Sequence, residues 1–516
     1  MCIRDSIGID IGTTGIKSII IDPKGNCLAK NSVSYNLTTP KPGWAEQNPE
    51  DWWQALKSSI KKLIEDSGVK SSDVKGIGLS GQMHGSVFLD KNYHLVRPAI
   101  LWCDQRTYRE CEEITTIIGK DNLIKNTCNP ALTGFTAPKI LWLKKNEPEN
   151  FEKTKKILLP KDYIRFKLTG EFATEVSDAS GTLLFDVRKR KWSDFVLSNL
   201  NIDKSLLPEC YESIEVSGKI SRIAAEQTGL KEGTPVVGGG GDQAAGGVGN
   251  GIVKEGIVSS VIGTSGVIFA FSEKPEIDPE GRLHTFCHAV PEKWFMMGVM
   301  LSAGGSFRWL RDTLCEKEIE IANKKCADPY DIMTEEASSI EPGSEGLIFL
   351  PYLSGERTPY PDPYARGVFF GLSLRHTKAH LIRAVLEGVT FGLKDSLEIM
   401  KKNNIVIKQI RASGGGGKSS LWRQIQADAF NSSVVTINND EGPAFGAALL
   451  ASVGTGNFSS VPEACKETIK ITSETIPIKE NVEIYDKYYK LYRSLYPALK
   501  SKFKNLSTEL DESKTG

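Results

Sequence analysis

The stretch Ile257–Phe271 reads Ile-Val-Ser-Ser-Val-Ile-Gly263-Thr264-Ser265-Gly266-Val-Ile-Phe-Ala-Phe. The β-branched and apolar runs predict two strands, and Gly-Thr-x-Gly between them predicts a tight turn. The same pattern stands about half a chain earlier. Ile7-Gly8-Ile9-Asp10-Ile11 predicts a strand, Gly12-Thr13-Thr14-Gly15 a turn, and Ile16 to Ile21 a second strand. Taken singly, each is an ordinary hairpin with Thr present for its β propensity. Taken together, they describe a duplicated chain: two related α/β domains facing each other over a cleft. Each domain would supply one turn whose backbone N–H groups can cradle phosphate oxygens. Asp10 is the one acid in an otherwise apolar strand, so it is expected to face the cleft or a partner.

The bulk numbers agree. A chain of 516 residues is too long for one core. Its 40% hydrophobic and 25% charged content is that of a globular protein. Lys+Arg and Asp+Glu are equal at 64 each, so the charge pattern of a nucleic-acid binder is missing. The 48 glycines exceed the average share of roughly 7%, and they cluster as ligand-approach loops. Ten scattered cysteines show no metal-ligand spacing and read as reduced thiols of a cytoplasmic protein. No apolar run reaches the roughly 18 residues of a membrane span. The opening Met1-Cys2-Ile3-Arg4-Asp5-Ser6 is an odd lead-in to a buried strand and stays outside the fold argument.

The join of the two halves is expected near Asp242, in Val-Val-Gly-Gly-Gly-Gly-Asp-Gln-Ala-Ala-Gly-Gly-Val-Gly-Asn-Gly at 236 to 251. A strand ends there, glycines let a ligand approach, and a single carboxylate stands before a helix of small residues. Asp242 is either a general base or the N-cap of that helix. Gly239-x-Gly241-x-x-Ala244 matches a dinucleotide fingerprint, but about 20 residues on the chain reads Ser259-Ser260-Val261, with no acid for a ribose.

Further signals follow the chain. Asn48 and Pro49 predict the start of a helix that runs to about Ser67. Met83 and His84 lie between Gly81 and Gly85, a place for a ligand contact or for a structural histidine. Asp104 and Arg106 are expected to pair with each other. Glycines 304 and 305 open a helix, either to bind an anion or to pack closely. Gly388 and Gly392 predict a second helix crossing nearby. Strand, glycines and Gly417-Lys418-Ser419 suggest a P-loop, but Ala412 stands where that motif needs glycine. From about Asn505 the chain is polar, and 496 to 516 is expected to be a tail.

These pieces resemble the FGGY carbohydrate kinases from Ile7 to about Leu495. One family signature matches Gly134 to Asn146, with Lys139 and Trp142 as fixed points. The other runs from Gly367 through His380 to Glu387. Within the family, Gly81-Gln-Met-His-Gly85, Trp44-Ala-Glu-Gln47, Leu158-Leu-Pro-Lys-Asp-Tyr163 and Leu353-Ser-Gly-Glu-Arg-Thr-Pro359 resemble the xylulokinase branch. The resemblance implies two actin-like, ribonuclease H-like domains with a catalytic cleft, at 1 to 245 and 246 to 495. It implies phosphorylation of D-xylulose by ATP with magnesium, or of another ketose or polyol. An actin-like ATPase is the alternative of a different class. Asp242 would be the catalytic base, with Met83, His84 and Gln243 on the sugar. Thr13, Thr14, Gly263 and Thr264 would hold phosphates, Gly304, Gly415 and Gly416 the adenosine side, and Asp10 the metal. The expected partners are a sugar and ATP, with no nucleic acid and no membrane; a homodimer is a candidate assembly. Two residues depart from the branch, Gln243 and Cys103, each where Asn is common. Both are expected near the sugar.

Overall fold

The computed structural model describes residues 5–512, with side chains through 506. Residues 1–4 of the odd lead-in lie outside the described residues, while Asp5 and Ser6 already belong to the first strand. Only elements that bear on the site are numbered below. The first half contributes β1 (Asp5–Ile11), β2 (Gly15–Ile21), β3 (Cys27–Ser34), β4 (Val74–Gly81), β5 (Val216–Lys219), β6 (Pro235–Val237) and β7 (Gly240–Gly241). The second half contributes β8 (Gly256–Ile262), β9 (Gly266–Ser272), β10 (His284–Cys287), β11 (Trp294–Met300), β12 (Ile407–Gly414), β13 (Ser433–Ile437) and β14 (Ile471–Thr475). The helices are α1 (Pro49–Ser67), α2 (Thr136–Asn146), α3 (Pro160–Thr169), α4 (Asp242–Gly249), α5 (Gly304–Leu314), α6 (Lys378–Lys402), α7 (Gly442–Gly454) and α8 (Lys479–Glu512).

Two seven-stranded sheets result. One runs β5-β6-β4-β1-β2-β3, with β7 continuing along β4; the other runs β10-β11-β9-β8-β12-β13-β14. Read outward from the hairpins, they are the same sheet. Each hairpin is antiparallel (β1/β2, β8/β9), and each first strand takes a parallel neighbour on its other side (β4, β12). A further parallel strand (β6, β13) and an antiparallel edge (β5, β14) follow in both. The duplication read from Gly-Thr-x-Gly is therefore a duplication of the whole sheet, and the fold is mixed α/β.

Period-2 alternation explains how the first sheet is covered. Ile7, Ile9 and Ile11 share one face of β1 and pack with Trp52, Leu56 and Ile60 of α1. Asn48 caps α1 by accepting the Glu50 N–H, and Gly68 ends it in the left-handed region. On the other face, Gly8 and Gly78 admit α7, whose Ala444 and Ala447 carbonyls would lie 1.9 Å from a Cβ at either position. A helix from the second half thus lies on the first sheet and also packs against α4. A Cβ on Gly446 would come 1.8 Å from the Ala245 carbonyl.

Three expectations need correction. The join at 245/246 falls inside α4; the sheets change between Gly249 and Gly256, because α4 is a single helix rooted in the first. Gly388 of α6 faces the Phe349 carbonyl of strand Ile348–Leu350 and no helix, whereas Gly392 faces Met300 of β11 and Tyr492 of α8, so the crossing helix expected of this pair is met at Gly392 alone. The segment from 496 is not a tail throughout: α8 continues to Glu512, and Tyr496 and Phe503 are buried in the second core. The side chains of residues 507–516 lie outside the described residues.

Candidate active site

Asp242 is the first residue of α4. Gly241 occupies the N-cap position, and no side chain caps the helix, which removes the N-cap reading. The turn before it requires glycine: Gly239 has φ +71°, and a Cβ there would sit 1.9 Å from the Leu79 carbonyl. A buried polar network holds this turn. The Gly241 N–H donates to Ser177 Oγ (3.0 Å), which donates to Glu175 (2.8 Å). Arg165 donates to the carbonyls of Val237 (2.7 Å) and Gly238 (2.6 Å). Lys161 pairs with Asp162 at 2.8 Å and Asp178 at 3.1 Å, all fully buried. Breaking such a network would strand buried charges, so the loop under Asp242 has one available geometry.

A cavity of about 220 Å³ opens on Asp242 and Gln243 and is lined also by Met83, His84, Trp102, Phe135, His284 and Arg357. His84 has φ +68°. Its carbonyl accepts from Lys139 Nζ (2.8 Å) and Thr136 Oγ1 (3.1 Å) of α2, which pin that backbone. Lys139 also reaches the Gly134 carbonyl at 2.5 Å, and burial pulls its pKa down to about 7. His84 Nδ1 meets the Gly181 carbonyl at 2.6 Å. A carbonyl only accepts, so Nδ1 carries the proton and Nε2 is left as an acceptor. Burial keeps the ring neutral, with a pKa of about 3. Asp104 and Arg106 pair as expected, and Arg106 stacks on Trp44 at 3.6 Å. Cys103 does not line this cavity; Trp102 faces it instead. Gln243 does line it.

Two larger cavities border the second half, the first of them between it and α4. One of about 560 Å³ is lined by Asp242, Gln243, Gly246, Val261, Gly415 and Lys418. The other, about 510 Å³, is lined by Gly263, Thr264, Gly304, Arg308, Asp331, Gly415 and Gly416. Asp242 and Gln243 border both the small cavity and the first large one. Burial, and then the Asp10 charge, push the Asp242 pKa up to about 7, with hydrogen bonding from Gln243 opposing. Asp10 itself is raised to about 6, by burial above all, and its Oδ1 is buried without a hydrogen-bond partner.

Thr13 and Thr14 line none of these cavities. Thr13 Oγ1 accepts from Trp102 Nε1 at 2.9 Å, and Thr14 is exposed. The glycines that open α5 serve packing rather than an anion. The N–H groups of Ala303, Gly304 and Gly305 donate to the carbonyls of Thr264, Gly263 and Thr264, and a Cβ on Gly304 would lie 2.4 Å from the Gly263 oxygen. Sequence reasoning did not find Trp102, Phe135, His284 or Arg357 as cavity residues. They come from segments far apart in the chain; Phe135 and Arg357 lie inside family-like segments that do not single them out, and Trp102 and His284 carry no motif of their own.

The duplicated sheets and the cleft between them are those of the actin-like sugar kinases. Models of the FGGY family of carbohydrate kinases match the N-terminal domain at residues 6–249 and the C-terminal domain at 258–455. The chain belongs to that family and is an ATP-dependent sugar kinase. It is 40% identical to a xylulose kinase of Bacillus subtilis over 95% of this chain and 96% of that one. It is 39% identical to a xylulose kinase of Escherichia coli over 96% and 99%. A solved structure of ligand-bound xylulose kinase from Lactobacillus acidophilus covers 98% of the chain and is itself fully covered, at 29% identity and a TM-score of 0.90. Among the described residues, no helix is long and apolar enough to cross a membrane.

Proposed function

We propose that the protein transfers the γ-phosphoryl group of ATP to the terminal hydroxyl of D-xylulose, giving D-xylulose 5-phosphate. One observation carries this reading: Asp242 stands where a sugar-sized cavity and a larger glycine-lined cavity share a wall. A hydroxyl bound on one side can there meet a phosphoryl group bound on the other. The xylulose kinases among the relatives support the choice of sugar.

Phosphoryl transfer asks chiefly for positioning and charge neutralisation. Met83, the Nε2 acceptor of His84 and Gln243 orient the sugar. Asp242 takes the hydroxyl proton as attack begins, and a pKa of about 7 suits that exchange. Thr13, Thr14, Gly263 and Thr264 hold the triphosphate, with Gly304, Gly415 and Gly416 on the adenosine side. Asp10 suits a magnesium ion: a carboxylate oxygen buried without a partner, beside a second carboxylate, calls for a cation. Among the described residues no cluster of three or more His, Cys, Asp or Glu could hold a metal alone. Magnesium, when bound there, would neutralise developing phosphate charge. The nine described cysteines are free thiols, which supports a cytoplasmic enzyme, and a homodimer is the proposed assembly.

The test offers D-xylulose, D-ribulose, glycerol and gluconate separately with ATP and magnesium and follows ADP release. The expected result is a strong response to D-xylulose. A stronger response to one of the others would keep the phosphoryl transfer and overturn the sugar.

A further inference from the structure

Among the described residues, arginines enclosed in the fold have partners, and half-buried Arg357 stands in contrast. Arg165 meets two carbonyls, Arg106 meets Asp104, Arg190 meets Glu212 and Arg383 meets Glu387. Arg357 lines the small cavity, yet its guanidinium has no ion pair or side-chain hydrogen bond among the described residues. Glu356 beside it is already engaged, accepting the backbone N–H groups of Leu301 (3.0 Å) and Arg357 (2.7 Å). A guanidinium stays protonated in a protein and presents five donors in a fixed fork. Its nitrogens are not among the buried unpartnered atoms, so the fork is open to the cavity and free to donate to whatever fills it.

Its place in the cavity can be read from its neighbours. The Arg357 charge acts on His84 and His284 and helps keep both neutral. The charged neighbour of Asp242 is Asp10 instead. The Thr358 N–H next to it donates to the Val299 carbonyl (3.1 Å), and Met297 on the same strand pairs with His284, so Arg357 stands toward the His284 end of the cavity. A substrate that offers its reacting hydroxyl to Asp242 turns its other end to this fork. In a 2-ketopentose phosphorylated at O5, that end carries the C2 carbonyl and the C1 hydroxyl, two adjacent acceptors. A planar fork matches such a pair with two parallel hydrogen bonds.

We propose that Arg357 is a substrate contact that selects the 1-hydroxy-2-keto end of the sugar, donating to O2 and O1 from the second half of the chain. The inference rests on the D-xylulose reading and adds the group that recognises the end remote from the chemistry. The cavity is lined by both halves, with Ser265, Val267, His284, Met297 and Val299 beside Arg357 from the second. Binding the sugar would tie the two halves together before phosphoryl transfer.

The test compares the wild type with Arg357→Met and Arg357→Lys on D-xylulose and on 1-deoxy-D-xylulose, which lacks O1. Thermal midpoints serve as a check of folding. Arg357→Met should raise the KM for D-xylulose roughly 10- to 100-fold, the loss of hydrogen bonds to a charged donor. Its KM for ATP should stay within about twofold, since ATP makes no such bond to it. Arg357→Lys should fall between. The penalty should shrink on the 1-deoxy sugar, where one of the two bonds is already missing. An unchanged KM for D-xylulose, an equal rise in the KM for ATP, or the same penalty on both sugars would overturn the assignment. A wild type that ignores D-xylulose would overturn the functional reading before any variant is compared; a wild type that uses it, with variants that bind it normally, would overturn Arg357 alone.

Discussion

The turn at Gly12–Gly15 and the turn at Gly263–Gly266 each close through the first glycine N–H, which donates to the carbonyl of the last residue, Gly15, in one and of the residue before the last, Ser265, in the other. What holds each turn differs. The first is gripped by side chains: Trp102 on the Thr13 hydroxyl, Gln47 on the Thr13 carbonyl (2.7 Å) and Tyr35 on the Gly12 carbonyl (2.5 Å). The second is gripped by backbone, through the first N–H groups of α5. Its own Thr264 and Ser265 are exposed. The strands leading in differ as well. Asp10 precedes the first turn, and Val261 stands at the equivalent place before the second. A duplicated backbone has thus been given two jobs. The first half carries the acids, and the second offers bare backbone and glycine, which suits a nucleotide.

If the chemistry belongs to the first half, Asp242→Asn should lower turnover by roughly two to four powers of ten while leaving D-xylulose binding measurable by calorimetry. Retained turnover would remove the general base. Next in size, Asp10→Asn should cost on the order of 100-fold in kcat, the scale of charge stabilisation by a bound metal. Adding Val261→Asp to that variant should restore nothing, and any rescue would show that the two hairpins are interchangeable. In the second half, Gly304→Val should overpack against the Gly263 carbonyl. An overpacking cost of about 1–3 kcal/mol should appear as a lower thermal midpoint and roughly tenfold weaker ATP binding, with sugar binding kept. The smallest effect is on pH dependence. Asp242 must be ionised to accept a proton, and burial together with Asp10 raises its pKa to about 7. So kcat/KM for the sugar should fall as pH drops through about 7. In Asp10→Asn the midpoint of the residual activity should move lower, because a neighbouring negative charge is gone.

The hairpins, the glycine turn and Asp242 are legible in the sequence because each depends on neighbours a few residues away. Gly-Thr-x-Gly and Gly-Gly-Asp report local backbone demands, and local demands leave local patterns. What stayed hidden depends on long-range approach. Gly8, Gly78 and Gly446 are glycines because α7 crosses from the second half, and nothing beside them in sequence says so. Gly388 suggested a crossing helix, but what it meets is the carbonyl of a strand. A missing Cβ announces close approach without naming the partner. Gly304 misled in the same way, since a helix opening with glycines fits an anion and a packed turn equally well. Arg357 was legible only as part of a family-like segment; its want of a partner became visible once the cavity closed around it.

A cleft that couples phosphoryl transfer to a bound sugar is tested most directly by ADP release by the wild type from ATP and magnesium, with and without D-xylulose. Release should depend on the sugar, with little ADP formed when it is omitted. Equal release in both conditions would contradict it, and would mean that the duplicated fold hydrolyses ATP without a sugar acceptor.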